Sequence, residues 1–241
     1  MLLDNFDEEV KGMKILVADT SSCVCSVGIF EDDKLIGKNE LDNGRTHSEN
    51  FMPLVKKTFE DANLKLDDMD YLAVVVGPGS FTGIRIGVSA CKAMAEIKNI
   101  KVVPIISLDL LAINALKNSS VICSMIDARN NQVYCGIYDS EINKIKEYIA
   151  DDIESALNVL KKYDDISFVG DGAILHEQRI KDFLMDKKLH FLENNKQNVD
   201  SLGIIAYKKI KNGDITDADS VVPVYLRKSQ AERMRDAKKN S

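Results

Sequence analysis

The chain repeats itself, and that repeat limits the folds open to it. Asp19 closes an apolar run at 14–18, and Asp127 closes a second at 121–126. At the same spacing of nine residues after each acid comes Gly28-Ile29-Phe30-Glu31 in the first case and Gly136-Ile137-Tyr138-Asp139 in the second. Each stretch alternates and ends in a turn, so each reads as the second strand of an antiparallel meander. Further on, Val76-Gly77-Pro78-Gly79 in the first half is echoed by Val169-Gly170-Asp171-Gly172 in the second. A duplication explains these matches better than chance does.

In the first half the pattern predicts strands at 14–18, 24–30 and 35–41, a helix from Thr46 or Ser48 to 63, a strand at 71–77, a helix at 84–97 and a strand at 102–106. In the second half it predicts strands at 121–126, 132–138 and 145–149, a helix at 153–163, a strand at 166–169 and a helix at 174–187. A last helix at 201–212, closed by Gly213, is assigned to the second lobe. The expected organisation is a leader at 1–12 with no clear period, lobes at 13–115 and 116–222, and a basic tail at 223–241 that returns to the first lobe. Two such units form α/β lobes of mixed sheet with helices. That is the plan of the duplicated actin-like and Hsp70-like, ribonuclease H-like fold, in which nucleotide sits between the lobes. The fold alone carries no function.

The chemistry-bearing residues are sparse. Gly77-Pro78-Gly79-Ser80-Phe81-Thr82-Gly83 links a strand to a helix, with Ser80 and Thr82 as N-cap candidates. Such a turn can cradle an anion or simply pack a helix on a sheet. Its spacing matches neither a P-loop nor a dinucleotide fingerprint. Asp19, Ser80, Thr82 and Arg85 are the candidate contacts for a nucleotide phosphate. Gly83, Gly87, Ala90 and Met94 form a small-residue stripe along one helix face. It calls for close approach of another backbone, either this chain's own or a helix of another chain. The histidines, His47, His176 and His190, form neither HxxxH nor HExxH, which argues against a metal site.

Composition sets further bounds. The formal charge is −6, so direct nucleic-acid binding would depend on the basic residues clustered after Arg227. Five cysteines without a CxxC fit thiols used as small core residues in a reducing cytoplasm. No apolar run is long enough to span a bilayer.

Six motifs then fall in a specific order: Ile-Leu-Val-Ala-Asp-Thr-Ser at 15–21, Arg45-Thr46-His47-Ser48-Glu49, the glycine loop through Gly87, Ile126-Asp127-Ala128-Arg129, Gly170-Asp171-Gly172, and Pro223-Val224-Tyr225-Leu226-Arg227. Together they resemble the TsaB (YeaZ) family, over residues 13–232. The resemblance implies a non-catalytic scaffold subunit in forming threonylcarbamoyladenosine in tRNAs that read codons starting with adenine. It implies a heterodimer with the transferase TsaD through the helices that begin near Thr46 and after Gly83, with the ATPase TsaE joining the pair. It also implies a competing homodimer, tRNA contact only through the complex, and ATP or ADP only in the complex. On the matching elements, the expected interface residues are Thr46, His47, Phe51, Leu54, Gly83, Arg85, Gly87, Ala90 and Met94. The alternatives weighed beside it are an ATP-dependent small-molecule kinase of the same superfamily, using Asp19, and a peptidase, for which no ligand set or triad is present.

Overall fold

The computed structural model describes residues 12–42, 46–116 and 119–227. The leader at 1–11, Arg45 and the tail from Lys228 onward lie outside the described residues. The first unit runs β1 (Lys14–Asp19), β2 (Cys25–Glu31), β3 (Lys34–Leu41), α1 (His47–Asp61), β4 (Tyr71–Gly77), α2 (Phe81–Lys98), β5 (Lys101–Ile106) and α3 (Ser107–Ile113). The second runs β6 (Val121–Asp127), β7 (Gln132–Asp139), β8 (Ile149–Asp152), α4 (Ile153–Leu160), β9 (Asp165–Val169), α5 (Asp171–Leu175), α6 (Glu177–Phe183) and β10 (Lys188–Phe191), and α7 (Val199–Lys211) follows.

The two sheets have one topology. The first is ordered β3-β2-β1-β4-β5, and the second, read from its other end, β8-β7-β6-β9-β10. In each, the first three strands are antiparallel and the last two are parallel to the first. The hairpins put strand two beside strand one. The helical crossovers must then bring later strands in parallel.

Both faces of the first sheet are covered. Leu16, Val27, Ile29, Leu72 and Val74 face α1 and α2, which contribute Phe51, Leu54, Ile84, Val88 and Cys91. Ile15, Val17, Phe30, Ala73 and Val103 face Val199, Leu202, Ile205 and Ala206 of α7 on the other side. The final helix, expected in the second lobe, therefore belongs to the first sheet. Glycines set the fit: a Cβ at Gly203 would stand 2.1 Å from Phe30 Cζ, and one at Gly28 2.4 Å from Val199 Cγ1.

Two other expectations are corrected. The helix expected at 174–187 is two short helices broken at His176, and the chain then enters β10. The strand expected at 145–149 begins only at Ile149. Asp139 holds the preceding turn, its Oδ1 accepting from the amides of Glu141 and Asn143 at 2.9 Å each. Helix α3 was not anticipated. It wedges between the sheets, with Leu110 in the first core and Leu111 and Ala112 against Ile122, Tyr138 and Val169. Its Asp109 Oδ1 accepts from the hydroxyls of Tyr138 and Tyr148, both at 2.7 Å. Burial and the neighbouring Asp109 carboxylate push both phenols up, so they stay neutral donors.

Candidate functional site

In this fold the acid after the first strand would meet phosphate and metal. Here the chain itself occupies that corner. Asp19 is 3% exposed, and its Oδ1 accepts from the Ser21 amide at 2.7 Å. Burial pushes its carboxyl up, opposed by that hydrogen bond and by His47. The Ser80 amide donates to the Ser21 carbonyl at 2.7 Å, and the Thr20 hydroxyl donates to the Gly83 carbonyl at 2.7 Å. His47 Nε2 lies 2.7 Å from the Ser22 carbonyl, and Gln197 Nε2 donates to Ser21 Oγ at 3.0 Å. The first hairpin is thus clamped by α1, α2 and the segment before α7.

The small-residue stripe closes this clamp. A Cβ at Gly83 would lie 1.9 Å from the Thr20 carbonyl oxygen, and one at Gly87 2.4 Å from Thr20 Oγ1. The backbone that comes close is the chain's own. Gly77, at φ +114°, leaves space for the carbonyl of Val224, which a Cβ there would meet at 2.7 Å. Val224 also donates its amide to the Val76 carbonyl at 2.7 Å, so the last described segment crosses the end of β4 beside the start of α2.

These contacts separate the sequence candidates. Asp19 is sealed under the hairpin. Ser80 Oγ accepts from the Gly83 amide at 3.2 Å as a helix cap, and Thr82 and Arg85 are exposed. Asp19 and Ser80 thus hold contacts within the chain, while Thr82 and Arg85 are on the surface. Of the expected interface residues, Phe51, Leu54, Gly83, Gly87 and Met94 are buried in the chain's own core, and Ala90 is half-buried against it. Phe51 and Leu54 each contribute roughly 1.5–3 kcal/mol there by leaving water. They cannot also meet a partner. Thr46 and Arg85 are exposed and His47 half-buried.

The outward sides of α1 and α2 are left. Met52 is 49% exposed on α1, and Thr82, Arg85, Ser89 and Ala93 are exposed on α2. Two residues that the sequence did not single out shape this surface. Phe81 and Tyr225 stack with ring centroids 4.7 Å apart, and Arg85 Nε donates to the Tyr225 hydroxyl at 2.7 Å. The aromatic at the helix start and the Pro-Val-Tyr-Leu-Arg run were both legible. Their meeting in space was not.

The second unit repeats the clamp in reduced form. A Cβ at Gly170 would meet the Met125 carbonyl oxygen at 2.1 Å, and one at Gly172 the Ile126 carbonyl carbon at 2.8 Å. Asp171 Oδ1 accepts from the Asp127 amide at 3.1 Å.

Comparison with known proteins places the chain. Residues 41–234 match the family model described as TsaD, tRNA N6-adenosine threonylcarbamoyltransferase. The tRNA threonylcarbamoyladenosine biosynthesis protein TsaB of Bacillus subtilis is 31% identical over 224 residues, covering 91% of this chain and 96% of that protein. The chain belongs to the TsaB (YeaZ) family. The TsaB of Escherichia coli K12 is 31% identical over 135 residues, 55% of this chain and 58% of that protein. Among solved structures, YeaZ from Pseudomonas aeruginosa superposes with a TM-score of 0.77 at 23% identity, over 89% of this chain and all of that one. A ROK hexokinase from Thermus thermophilus superposes at 0.52 with 10% identity, over 83% of this chain and all of that one. These two likenesses agree with a duplicated actin-like fold for this chain.

Proposed function

We propose that this chain serves in forming threonylcarbamoyladenosine on tRNA as a non-catalytic subunit, docking on the transferase TsaD through the outward faces of α1 and α2. The observation that carries the reading is the filled corner at Asp19. Where a kinase of this fold would hold phosphate, Thr20 and Gly83 are in backbone contact and the acid is buried. Membership of the TsaB family supplies the pathway. Exposed Met52 and the small residues Ser89 and Ala93 give α1 and α2 a shallow surface on which a partner helix can lie close. TsaE joins the assembled pair, tRNA is met through the complex, and a homodimer on the same face would compete with the heterodimer. A cytoplasmic site of action goes with this role. Among the described residues no helix is long and apolar enough to cross a membrane.

The test is to mix the full chain with the TsaD of its own organism and weigh the product by size exclusion with light scattering. A discrete heteromer is expected, formed equally well by Asp19→Asn, because Asp19 is internal. A failure to associate, together with ATP–Mg binding by the isolated chain that Asp19→Asn abolishes, would move the reading to a kinase.

A further inference from the structure

Arg85 is an exposed cation held in one place. Its guanidinium carbon lies 3.9 Å from the Phe81 ring centroid and 5.6 Å from that of Tyr225. Nε donates to the Tyr225 hydroxyl at 2.7 Å, which leaves the two terminal nitrogens without a partner among the described residues. An arginine on a surface normally loses rotamer freedom when it binds. This one has already lost it to the stack, so its planar fork is preorganised. Stacking and the phenol do not neutralise its charge.

We infer that Arg85 sets the register of docking by receiving a carboxylate, an aspartate or glutamate side chain, of the partner protein. The inference rests on the docking face proposed above and names the chemistry that face recognises. A carboxylate fits the guanidinium fork with two parallel hydrogen bonds, and such pairs fix orientation as well as affinity. The aromatic pair and the arginine are also the residue types that dominate interface hot spots.

The anion could instead be an RNA phosphate, and the neighbourhood argues against it. Phosphate-backbone binding draws its strength from several cations acting together. The four lysines of α1 and α2 are all engaged. Lys56 and Lys57 pair with Glu60 and Asp61, Lys98 pairs with Asp67, and Lys92 donates to the carbonyls of Asp219 and Val221. With those lysines engaged, the Arg85 fork held beside two aromatic rings matches a single carboxylate.

The experiment is titration calorimetry of the full chain into full-length TsaD of the same organism. Arg85→Ala should weaken the heteromer about thirtyfold or more, as truncating one side of a buried charge pair does. Arg85→Lys keeps the charge, loses the fork and should weaken it by about tenfold. Tyr225→Phe keeps the stack, frees the guanidinium and should cost about threefold. Arg85 is exposed, so the melting temperature of each variant alone should stay within about 2 °C of the native chain. Arg85→Glu should abolish binding, and one acidic-to-arginine change on TsaD should restore it. The inference is overturned if Arg85→Ala binds TsaD within about twofold of the native chain. It is also overturned if the variant heteromer assembles normally but loses tRNA affinity, which would make the anion a phosphate. In both cases the docking reading survives. If the native chain forms no heteromer at all, both fall.

Discussion

At Gly83 the start of α2 meets the chain's own first hairpin. No side chain fits there, because its nearest neighbour is a carbonyl oxygen and not a flexible terminus. Gly83→Ala should therefore cost about 3 kcal/mol, the upper end of what overpacking typically costs. Gly87 faces a hydroxyl that can rotate, at the loss of its bond to the Gly83 carbonyl, so Gly87→Ala should cost less. Urea unfolding of the two variants checks the order. Equal and negligible losses would mean that the stripe is free to meet another chain. The stripe was legible in the sequence as a demand for close approach. What it approaches was not, because Thr20 sits 63 residues away and spacing along a helix carries no information about a hairpin so distant.

At the scale of the element, α3 holds the halves together. Ser107 at its start donates its hydroxyl to the Pro78 carbonyl, and Asp109 one half-turn on accepts from two tyrosines of the second unit. Asp109→Ala removes the acceptor of the buried Tyr138 hydroxyl and should destabilise by about 2–3 kcal/mol. Asp109→Asn, whose amide oxygen still accepts, should lose less. Hydrogen exchange should quicken in β7 and around Tyr148 in the alanine variant; unchanged exchange there would contradict the bracing role. The elements that escaped the sequence share a cause. Helix α3 is a seven-residue helix buried on both sides, so its apolar run has no polar face to reveal a period. Strand β10 is four residues long on a sheet edge, too short to show a period. Helix α7 was found, but nothing in its amphipathic pattern says which of two similar sheets it covers.

For the whole molecule, the duplication was the strongest signal, and the structure returns it as two sheets of identical order and pairing. A fold of this kind usually brings two first hairpins to a nucleotide between its halves. This chain keeps the plan and closes the first hairpin with a glycine-lined helix start, while among the described residues the outward sides of α1 and α2 stay exposed. Those two facts are the ones on which the proposal of a partner subunit rests. The most direct measurement is threonylcarbamoyl transfer to adenosine in tRNA, followed by nucleoside chromatography with the threonylcarbamoyl adenylate supplied. Three reactions are compared: this chain alone, TsaD with TsaE, and all three proteins. No product is expected from the chain alone, and product well above the two-protein level is expected when it is added. Turnover by the chain alone, or a TsaD–TsaE rate that it leaves unchanged, would contradict the account.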